Sequence, residues 1–304
     1  MRKGKTYLVA VALLVAILGV MAFAAGCGDD TPSDEESSPA AELEGTPAER
    51  AEAILGHAPT GLAKTIVDRG SVVVANDANY APQSSIDKAT GELVGFDVDA
   101  AKGMAEVLGL EVKFENPAWE TIPAGLNQGR FDVSIGSMTI TEERSKALDF
   151  TDPYYYTSGQ IFVKEGGTQI TSASDLDGTK VGVGAATTYY DFLKAETTAK
   201  VKTYTTDAET FPDLRNGNLD FVMTGGPTGQ EAISQGQKFE FSGDPLYYED
   251  LAFAIKKGEA DWLALLDEAV QTMHADGSLT DMSETWYAGL DLTQKAEAEE
   301  ELAE

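Results

Sequence analysis

The chain has 304 residues, of which 42% are hydrophobic and 24% are charged, a globular composition long enough for one large domain or two lobes. Its formal net charge is −29, from 51 acidic and 22 basic residues, and no basic stripe offers the phosphate-neutralising surface that nucleic-acid binding requires. The composition therefore excludes nucleic acid as a partner and indicates an acidic, well-solvated surface.

The chain begins with the features of an export signal. Three basic residues at positions 2, 3 and 5 precede an uncharged run, mainly Val, Leu and Ala, over residues 7–25. This run is also at the short end of a bilayer span, so a single transmembrane anchor is the alternative. The adjoining segment, Ala24-Ala25-Gly26-Cys27, resembles a bacterial lipobox. We therefore predict a lipoprotein signal peptide over residues 1–26 and a lipid anchor on Cys27 that holds the protein to the outer face of the cell membrane.

Cysteine and histidine are both scarce. Cys27 is the only cysteine, which excludes a disulfide within the chain and a cysteine-based metal cluster or nucleophile in its body. The two histidines, His57 and His274, lie far apart in the sequence and suggest no Ser-His-Asp arrangement or histidine metal site. We expect neither a metal nor a cofactor.

The predicted elements begin after an acidic stretch. Residues 27–47 combine Asp, Glu, Ser and Pro without apolar periodicity, which is typical of a disordered tether. Residues 48–67 have a helix-forming composition and predict one or two short helices. Strand and helix signals then alternate, which indicates an α/β fold. In chain order the pattern predicts a strand at 71–75, a helix at 97–108, a strand at 111–115, a helix at 121–127 and a strand at 132–136, then a strand at 180–184, helices at 189–197 and 209–216, a strand at 219–224 and a helix at 262–275.

Two segments, residues 129–137 and 217–225, share a pattern of Gly, a polar residue, an apolar residue and Asp before a buried strand. Each lies at the same place in its half of the chain, so we predict two similar α/β lobes; chance similarity is the alternative. Extended apolar segments at 159–163 and 251–255 would cross between the lobes. Two such strands form a hinge, and ligands in these sheets bind beyond the carboxyl ends of the strands.

This organisation predicts boundaries for the two lobes. Residues 48–161 and 253–292 would form lobe 1, and residues 162–252 would form lobe 2. Residues 293–304 are mostly acidic and predict a frayed helix or an acidic C-terminal tail.

Six segments between about residues 70 and 292 form a pattern whose order and spacing are specific together, although each segment alone is weak. The segments are GELVGFDVD (91–99), WETIPAGLNQGRFD (119–132), GSMTITEER (136–144), LDFTDPY (148–154), ADGSL (275–279) and WYAG (286–289). Together they resemble bacterial extracellular solute-binding protein family 3, the polar amino-acid receptors of ABC importers. The resemblance implies a two-lobed periplasmic-binding-protein-like fold of type II and an extracytoplasmic, monomeric receptor. Such a receptor captures an amino acid or related small carboxylate by hinge closure and delivers it to an ABC permease.

Arg144 is the strongest candidate for a ligand contact. A guanidinium offers a rigid fork of donors that pairs two ways with a planar carboxylate. The resemblance assigns this arginine to the α-carboxylate of the ligand. The alternative is a solvent-facing helix arginine paired with Glu142 or Glu143.

Hydroxyl groups follow a strand in each predicted lobe. Gly136, Ser137 and Thr139 lie at the end of the first-lobe strand, and the resemblance places them at the polar head of the ligand. Thr187 and Thr188 open a second-lobe helix whose free N–H groups favour an anion, and they match the second carboxylate clamp of the family. Turn chemistry and an ordinary N-cap at Thr188 are the alternative interpretations.

Tyr80 and Trp119 fall where the family places flat apolar walls around the ligand side chain, and aromatic faces also attract cationic groups. Aromatic residues also occur commonly in protein cores, which is the alternative. Asp77 falls where some family members contact a polar or basic ligand side chain, although it also suits a turn at a strand end.

Gly225 departs from the family pattern. Receptors for standard amino acids carry Asp at this position, where it neutralises the ligand α-ammonium. A buried ammonium without a carboxylate partner would be costly. Either another acid, such as Asp77, Glu249 or Asp250, takes this role, or the ligand lacks a conventional α-amino group.

Two other functions compete with transport. Cyclohexadienyl dehydratases resemble the same family and would need a general acid in the cleft. A ligand sensor of a signalling system would use the same cleft without transport. The sequence gives no strong support for an enzyme, and we predict that the chain is not one.

Overall fold

A computed structural model describes residues 44–303 of the chain. The predicted signal peptide, the lipidation site at Cys27 and most of the predicted tether lie outside the described residues. Within residues 44–303, none of the helices combines the length and apolar character needed to cross a bilayer.

Helices cover a mixed β-sheet. The helices are α1 (Pro47–Leu55), α2 (Gly61–Arg69), α3 (Phe96–Leu108), α4 (Ile122–Asn127), α5 (Glu142–Ser145), α6 (Thr188–Glu196), α7 (Thr210–Asn216), α8 (Gly226–Ser234), α9 (Ala260–Ala275), α10 (Ser278–Trp286) and α11 (Lys295–Glu301). The strands are β1 (Ser71–Ala75), β2 (Asn79–Tyr80), β3 (Ser84–Ile86), β4 (Leu93–Val94), β5 (Glu111–Glu115), β6 (Val133–Thr139), β7 (Leu148–Phe150), β8 (Tyr155–Lys164), β9 (Lys180–Gly184), β10 (Lys200–Tyr204), β11 (Phe221–Gly225), β12 (Phe239–Phe241) and β13 (Tyr247–Lys256).

The sheet order is β10-β9-β11-β8-β13-β6-β1-β5, with β7 and β12 paired to β13 and β8. Parallel strands β5, β1 and β6 form one side, and parallel strands β10, β9 and β11 form the other. Between them run β8 and β13, two antiparallel strands of ten residues each, which we call the hinge strands. The predicted lobe boundaries fall within these two strands.

The two parallel halves of the sheet, one containing β1, β5 and β6 and the other β9, β10 and β11, each pack against a hydrophobic core of their own. On one side, Phe96, Phe253 and Trp262 belong to a cluster that joins β1 and β6 to α3 and α9. On the other side, Val183 and Met223 belong to a separate cluster beside α6. Two cores joined by two long strands make the two-lobed α/β architecture that the sequence predicted. We call the side with β1, β5 and β6 the first lobe and the other side the second lobe.

Most predicted elements are present, and β1, β5 and β9 have the predicted bounds. The elements that were not predicted are β7, β10, β12, α8, α10 and the small sheet of β2, β3 and β4. β10 is an edge strand with mostly exposed side chains, so its sequence lacks an apolar run. α8 begins with Gly-Pro-Thr-Gly, which looks like a loop, although Pro is well tolerated in the first turn of a helix.

The C-terminal segment, for which we expected a frayed helix or an acidic tail, is folded over residues 295–301. These residues form α11, and Ala298 is completely buried. Leu302, four residues on, also packs against the first-lobe core, so the two apolar residues share one face of the helix. Their spacing explains why this acidic segment adheres to the body.

The carboxyl ends of the parallel strands meet in the middle of the molecule. There, residues that follow β1, β6, β9 and β10 surround one cavity. In the described part of the chain, Ser137, Ala186 and Ala288 are the non-glycine residues with positive φ. Ser137 (φ 56°) lines this cavity, and Ala186 (φ 58°) lies between the lining residues Ala185 and Thr187. Non-glycine residues in this conformation are uncommon and cluster at ligand sites.

Candidate functional site

A cavity of about 50 Å³ lies between the lobes. The structure brings nine of the ten predicted ligand contacts to its wall: Asp77, Tyr80, Trp119, Gly136, Ser137, Thr139, Arg144, Thr187 and Thr188. The tenth, Gly225, lies directly behind the hydroxyls of Tyr80 and Tyr189. The residues that the resemblance singled out therefore share one site, although they come from both lobes.

Arg144 projects from α5 toward the cavity. Its Nη1 donates to the carbonyl oxygen of Thr139 at 3.0 Å, and its guanidinium carbon lies 5.4 Å from the centre of the Trp119 ring. Burial lowers the pKa of Arg144, and the negative charge of Glu249 opposes this effect, so the guanidinium stays charged. In residues 44–303 no carboxylate forms an ion pair with it, and Glu143 pairs instead with Lys146 at 2.6 Å. The side chain thus keeps donors for an incoming anion.

Ser137 lines the cavity, but its hydroxyl is used inside the protein. The Oγ donates to Asp97 at 2.8 Å and accepts from the Tyr155 hydroxyl at 2.7 Å. The backbone N–H of Ser137 donates to the Tyr154 hydroxyl at 3.0 Å. Burial raises the pKa of Asp97 to about 7. This network of buried groups fixes the backbone of β6 where it turns toward the cavity.

The loop after β9 supplies the second-lobe wall. Thr187 is the N-cap of α6, because its hydroxyl accepts from the N–H of Tyr190 at 3.2 Å, and it donates to the carbonyl of Gly184 at 2.8 Å. The alternative of an N-cap at Thr188 is wrong, since that role belongs to Thr187. The Thr188 hydroxyl instead donates to the carboxylate of Glu249.

Direct contacts join the lobes across the cavity. The indole N–H of Trp119 donates to the carbonyl of Ala186 at 3.1 Å, and Nη2 of Arg144 lies 3.5 Å from the same oxygen. The hydroxyls of Tyr80 and Tyr189 lie 3.1 Å apart. Because each pair has one member in each lobe, these contacts describe a closed cleft.

Sequence reasoning missed several residues at the cavity wall, among them Thr205, Thr206 and Asp207 after β10, and Tyr189 on α6. Asp207 accepts from the N–H of Gly184 and from the hydroxyl of Thr224, each at 3.0 Å, and so fixes the loop after β9. Burial raises the pKa of Asp207 to about 6. Recognising β10 would have revealed Asp207, because it follows the carboxyl end of that strand.

Asp77 forms a local turn at the edge of the cavity. Its Oδ1 accepts from the backbone N–H of Asn79 at 3.0 Å and from the side-chain amide of Asn79 at 3.1 Å. Burial raises the pKa of Asp77. The alternative interpretation of Asp77, a turn at a strand end, therefore describes its hydrogen bonds, and the residue also lines the cavity.

Neither histidine lies at the cavity. His274 on α9 contacts the carbonyl of Pro153 at 3.0 Å, and His57 lies 3.9 Å from Asp261. Across residues 44–303, no cluster of three or more His, Cys, Asp or Glu side chains has the arrangement of a metal site.

Two α/β lobes that close on a cavity beside a guanidinium define a solute-binding protein of the two-lobed type. The family model of bacterial extracellular solute-binding proteins, family 3, matches residues 72–289, and the chain belongs to this family. The family predicted from the sequence is therefore confirmed.

Curated relatives and solved structures extend this result. The L-cystine-binding protein TcyJ of Escherichia coli K12 is 33% identical over 241 residues, which cover 78% of this chain and 90% of the relative. The ABC transporter arginine-binding protein 1 of the same organism is 33% identical over 217 residues, which cover 69% of this chain and 88% of the relative.

Among solved structures, an ancestral arginine-binding protein bound to arginine is 34% identical, with a TM-score of 0.69, and the match covers 72% of this chain and 99% of that one. An ancestral amino-acid-binding protein described as a precursor of cyclohexadienyl dehydratase is also 34% identical, with a TM-score of 0.68 over 73% of this chain and 98% of that one. These likenesses confirm the two-lobed type II fold.

Proposed function

We propose that this chain is the extracytoplasmic receptor of an ABC importer and that it captures a free amino acid or related small carboxylate by closing its two lobes. The cystine- and arginine-binding relatives of ABC transporters support this class of ligand. The observation that carries the proposal is the closed inter-lobe cavity, with the guanidinium of Arg144 at its wall and without an ion-pair partner among the described residues.

The ligand carboxylate pairs with Arg144 in this proposal, and N–H groups at the start of α6 approach it from the second lobe. Trp119 and Tyr80 form flat walls for the ligand side chain, and Asp77 lies where a polar or basic end of that side chain would reach. Ser137, whose hydroxyl and backbone N–H are both occupied, positions the backbone of β6 beside the ligand.

Lobe closure is the step that couples capture to transport. Trp119 and Arg144 both reach the carbonyl of Ala186 only when the lobes are together. A ligand that bridges the two walls therefore stabilises the closed form, which a permease can distinguish from the open one.

A thermal-shift panel tests this function. The panel contains the standard amino acids, cystine and simple carboxylates, with neutral sugars as negative controls. We expect one or a few amino acids to raise the melting temperature. Stabilisation by sugars alone would contradict the proposal.

Calorimetric titration of Arg144 variants then tests the carboxylate contact. We expect Arg144→Ala to weaken binding of the best amino acid by more than about a hundredfold, because a desolvated carboxylate loses its partner. Arg144→Lys should restore binding only partly, since lysine cannot form the two-point contact. The control, Arg130→Ala, changes an exposed arginine and should bind normally. Unchanged affinity in Arg144→Ala would disprove the assignment.

A receptor without catalytic activity is part of the proposal. The relatives named above are binding proteins, but one structural neighbour is described as a precursor of cyclohexadienyl dehydratase. Incubation with prephenate or arogenate, followed by mass spectrometry, distinguishes the two functions. We expect no conversion, and product formation at a turnover above background would establish an enzyme.

Attachment to the membrane through a lipid on Cys27, and action as a monomer, also belong to the proposal. The lipobox-like sequence supports the first. Mass spectrometry of the N-terminal peptide should find a diacylglyceryl group on Cys27, and Cys27→Ala should release the protein from membranes. Light scattering of the protein without its lipid anchor should give the molecular mass of one chain.

A further inference from the structure

Glu249 is a buried acid in the middle of hinge strand β13, with only 3% of its surface exposed. One oxygen, Oε1, accepts from the hydroxyl of Thr139 at 3.0 Å and from the hydroxyl of Thr188. The other oxygen, Oε2, is buried and receives no hydrogen bond from any residue between 44 and 303. A buried carboxylate oxygen without a donor is costly, so its position needs an explanation.

Two more polar groups beside Glu249 share this property. Thr157 lies directly opposite Glu249 in the pairing of β8 with β13, and Tyr247 lies two residues before it on the same strand face. The hydroxyls of both are buried, and neither has a hydrogen-bond partner among the described residues. The two hinge strands therefore carry a cluster of three unsatisfied polar groups, Thr157, Tyr247 and Glu249, which we call the hinge cluster.

The hinge cluster adjoins the ligand cavity. Thr139 and Thr188, which both line the cavity, are the donors to Glu249. Thr139 also links this acid to the guanidinium, because its carbonyl oxygen accepts from Arg144 at 3.0 Å. One residue, Thr139, thus contacts both the Glu249 carboxylate and the Arg144 guanidinium. An acid and a guanidinium joined through one residue suit a molecule whose own carboxylate and ammonium are attached to the same carbon atom.

The surroundings of Gly225 leave no room for an acidic side chain at that position. A Cβ atom at this position would come within 2.7 Å of the Tyr80 hydroxyl and 2.9 Å of the Tyr189 hydroxyl. The two hydroxyls therefore occupy the space that a side chain would need. Burial raises the pKa of both tyrosines, so they remain neutral and supply no charge for a cation.

The other acids considered from the sequence have hydrogen-bond or ion-pair partners of their own. Asp250 follows Glu249 on the strand but pairs with Lys295 at 2.8 Å. Oδ1 of Asp77 accepts hydrogen bonds from the backbone N–H and from the side-chain amide of Asn79. Of these three acids, only Glu249 has a buried oxygen without a donor.

We propose that Glu249 receives the α-ammonium group of the captured amino acid, with the hydroxyls of Thr157 and Tyr247 as further acceptors. The inference rests on the proposed function, since it places the ligand carboxylate on Arg144. It makes Glu249 a specificity-determining residue that selects α-amino acids over acids without an amino group.

Calorimetric titration tests the inference with three matched pairs of ligands. The pairs are L-arginine with 5-guanidinopentanoate, L-glutamine with glutaramate, and L-cystine with 3,3′-dithiodipropionate; the second member of each lacks the α-amino group. The variants are Glu249→Gln, which removes the charge, and Glu249→Asp, which keeps it. Asp250→Asn is the matched control, because it removes the neighbouring charge from the same strand.

The wild type should bind an amino acid at least about tenfold more tightly than its deaminated partner. Glu249→Gln should lower the affinity for the amino acid by about thirtyfold or more and leave the affinity for the deaminated partner within about threefold of the wild-type value. Glu249→Asp should keep the preference for the amino acid, and Asp250→Asn should match the wild type.

Several results would overturn the inference. One is an equal loss of both ligands in Glu249→Gln, which would indicate a structural role, and another is no loss of either. A wild type that prefers the deaminated acids would overturn it even if Glu249→Gln did not fold. In these cases binding that depends on Arg144 would leave the proposed function intact. If neither these ligands nor any amino acid or simple carboxylate of the thermal-shift panel binds to the wild type, both the function and the inference fail.

Discussion

Gly225 and two tyrosine hydroxyls show how a single residue affects closure of the cleft. Tyr80 belongs to the first lobe and Tyr189 to the second, and their hydroxyls meet 3.1 Å apart beside Gly225. Any side chain at residue 225 must push at least one of them away. A substitution there therefore acts on the contact between the lobes.

We expect Gly225→Ala to weaken amino-acid binding by about tenfold, because the lobes must separate slightly to admit the new methyl group. The double variant Gly225→Ala, Tyr80→Phe removes the nearest oxygen and should recover part of this loss. Calorimetry gives the affinities, and small-angle scattering shows whether ligand still closes the cleft. Normal affinity in Gly225→Ala would show that this space is not required for closure.

The residues of the candidate site were largely predictable because they lie in local motifs at the ends of strands. Their orientations were not. The hydroxyls of Ser137 and Thr187 are used within the protein. Ser137 bonds to Asp97, which is distant in sequence, and Thr187 bonds to the backbone carbonyl of Gly184, which its side-chain type does not reveal. Glu249 appeared from the sequence only as one of three possible acids, and its unsatisfied oxygen depends on the pairing of two strands 90 residues apart, a distance that sequence patterns do not show.

At the scale of elements, strands with an apolar run, and β5 with its alternating pattern, were predicted with correct bounds. β1 and β9 are buried and their bounds were correct, whereas β10 is an exposed edge strand and escaped notice. α11 could be expected only as a frayed helix, because its sequence is strongly acidic. Its packing depends on two apolar residues, Ala298 and Leu302. A helix of seven residues is too short for two apolar positions to form a recognisable periodic pattern in the sequence.

α11 should stabilise the hinge strands. Two residues of β13 contact the helix. Asp250 pairs with Lys295 at 2.8 Å, and the Tyr248 hydroxyl donates to the carbonyl of Glu299 at 3.1 Å. We expect a chain that ends at Thr293 to lose about 2 kcal/mol of unfolding free energy, mainly through the lost burial of Ala298 and Leu302. Urea denaturation measures the loss. A chain that ends at Leu302 is the control and should keep its stability; equal stability of the two truncated chains would contradict this role of α11.

At the scale of the whole molecule, the two-lobed fold was predictable from two features of the sequence. The pattern at 129–137 recurs at 217–225 and indicates two similar lobes, and the apolar segments at 159–163 and 251–255 mark where the chain crosses between them. The buried network beneath the cleft was not, because it joins groups from β6, β8 and α3. Asp97 in α3 has no exposed surface, and its carboxylate accepts from Ser137 of β6 and Tyr154, next to β8. A buried acid of this kind makes the stability of the folded chain depend on pH.

Burial raises the pKa of Asp97 from 3.8 to about 7. Between these pH values the folded chain retains a proton that the unfolded chain releases, so the free energy of unfolding falls as pH rises. Asp97→Asn removes this titration. We expect the stability of the wild type relative to the variant to be greatest at and below about pH 4 and to decrease by on the order of 3 kcal/mol by about pH 7.5.

Chemical denaturation of the ligand-free proteins at several pH values measures this difference. Comparison with the variant matters because the net charge of −29 also destabilises the folded chain as pH rises, and this repulsion is nearly the same in both proteins. The difference therefore isolates Asp97. A difference that stays constant with pH would show that the Asp97 carboxylate keeps an ordinary pKa, with its charge stabilised by the hydroxyls of Ser137 and Tyr154.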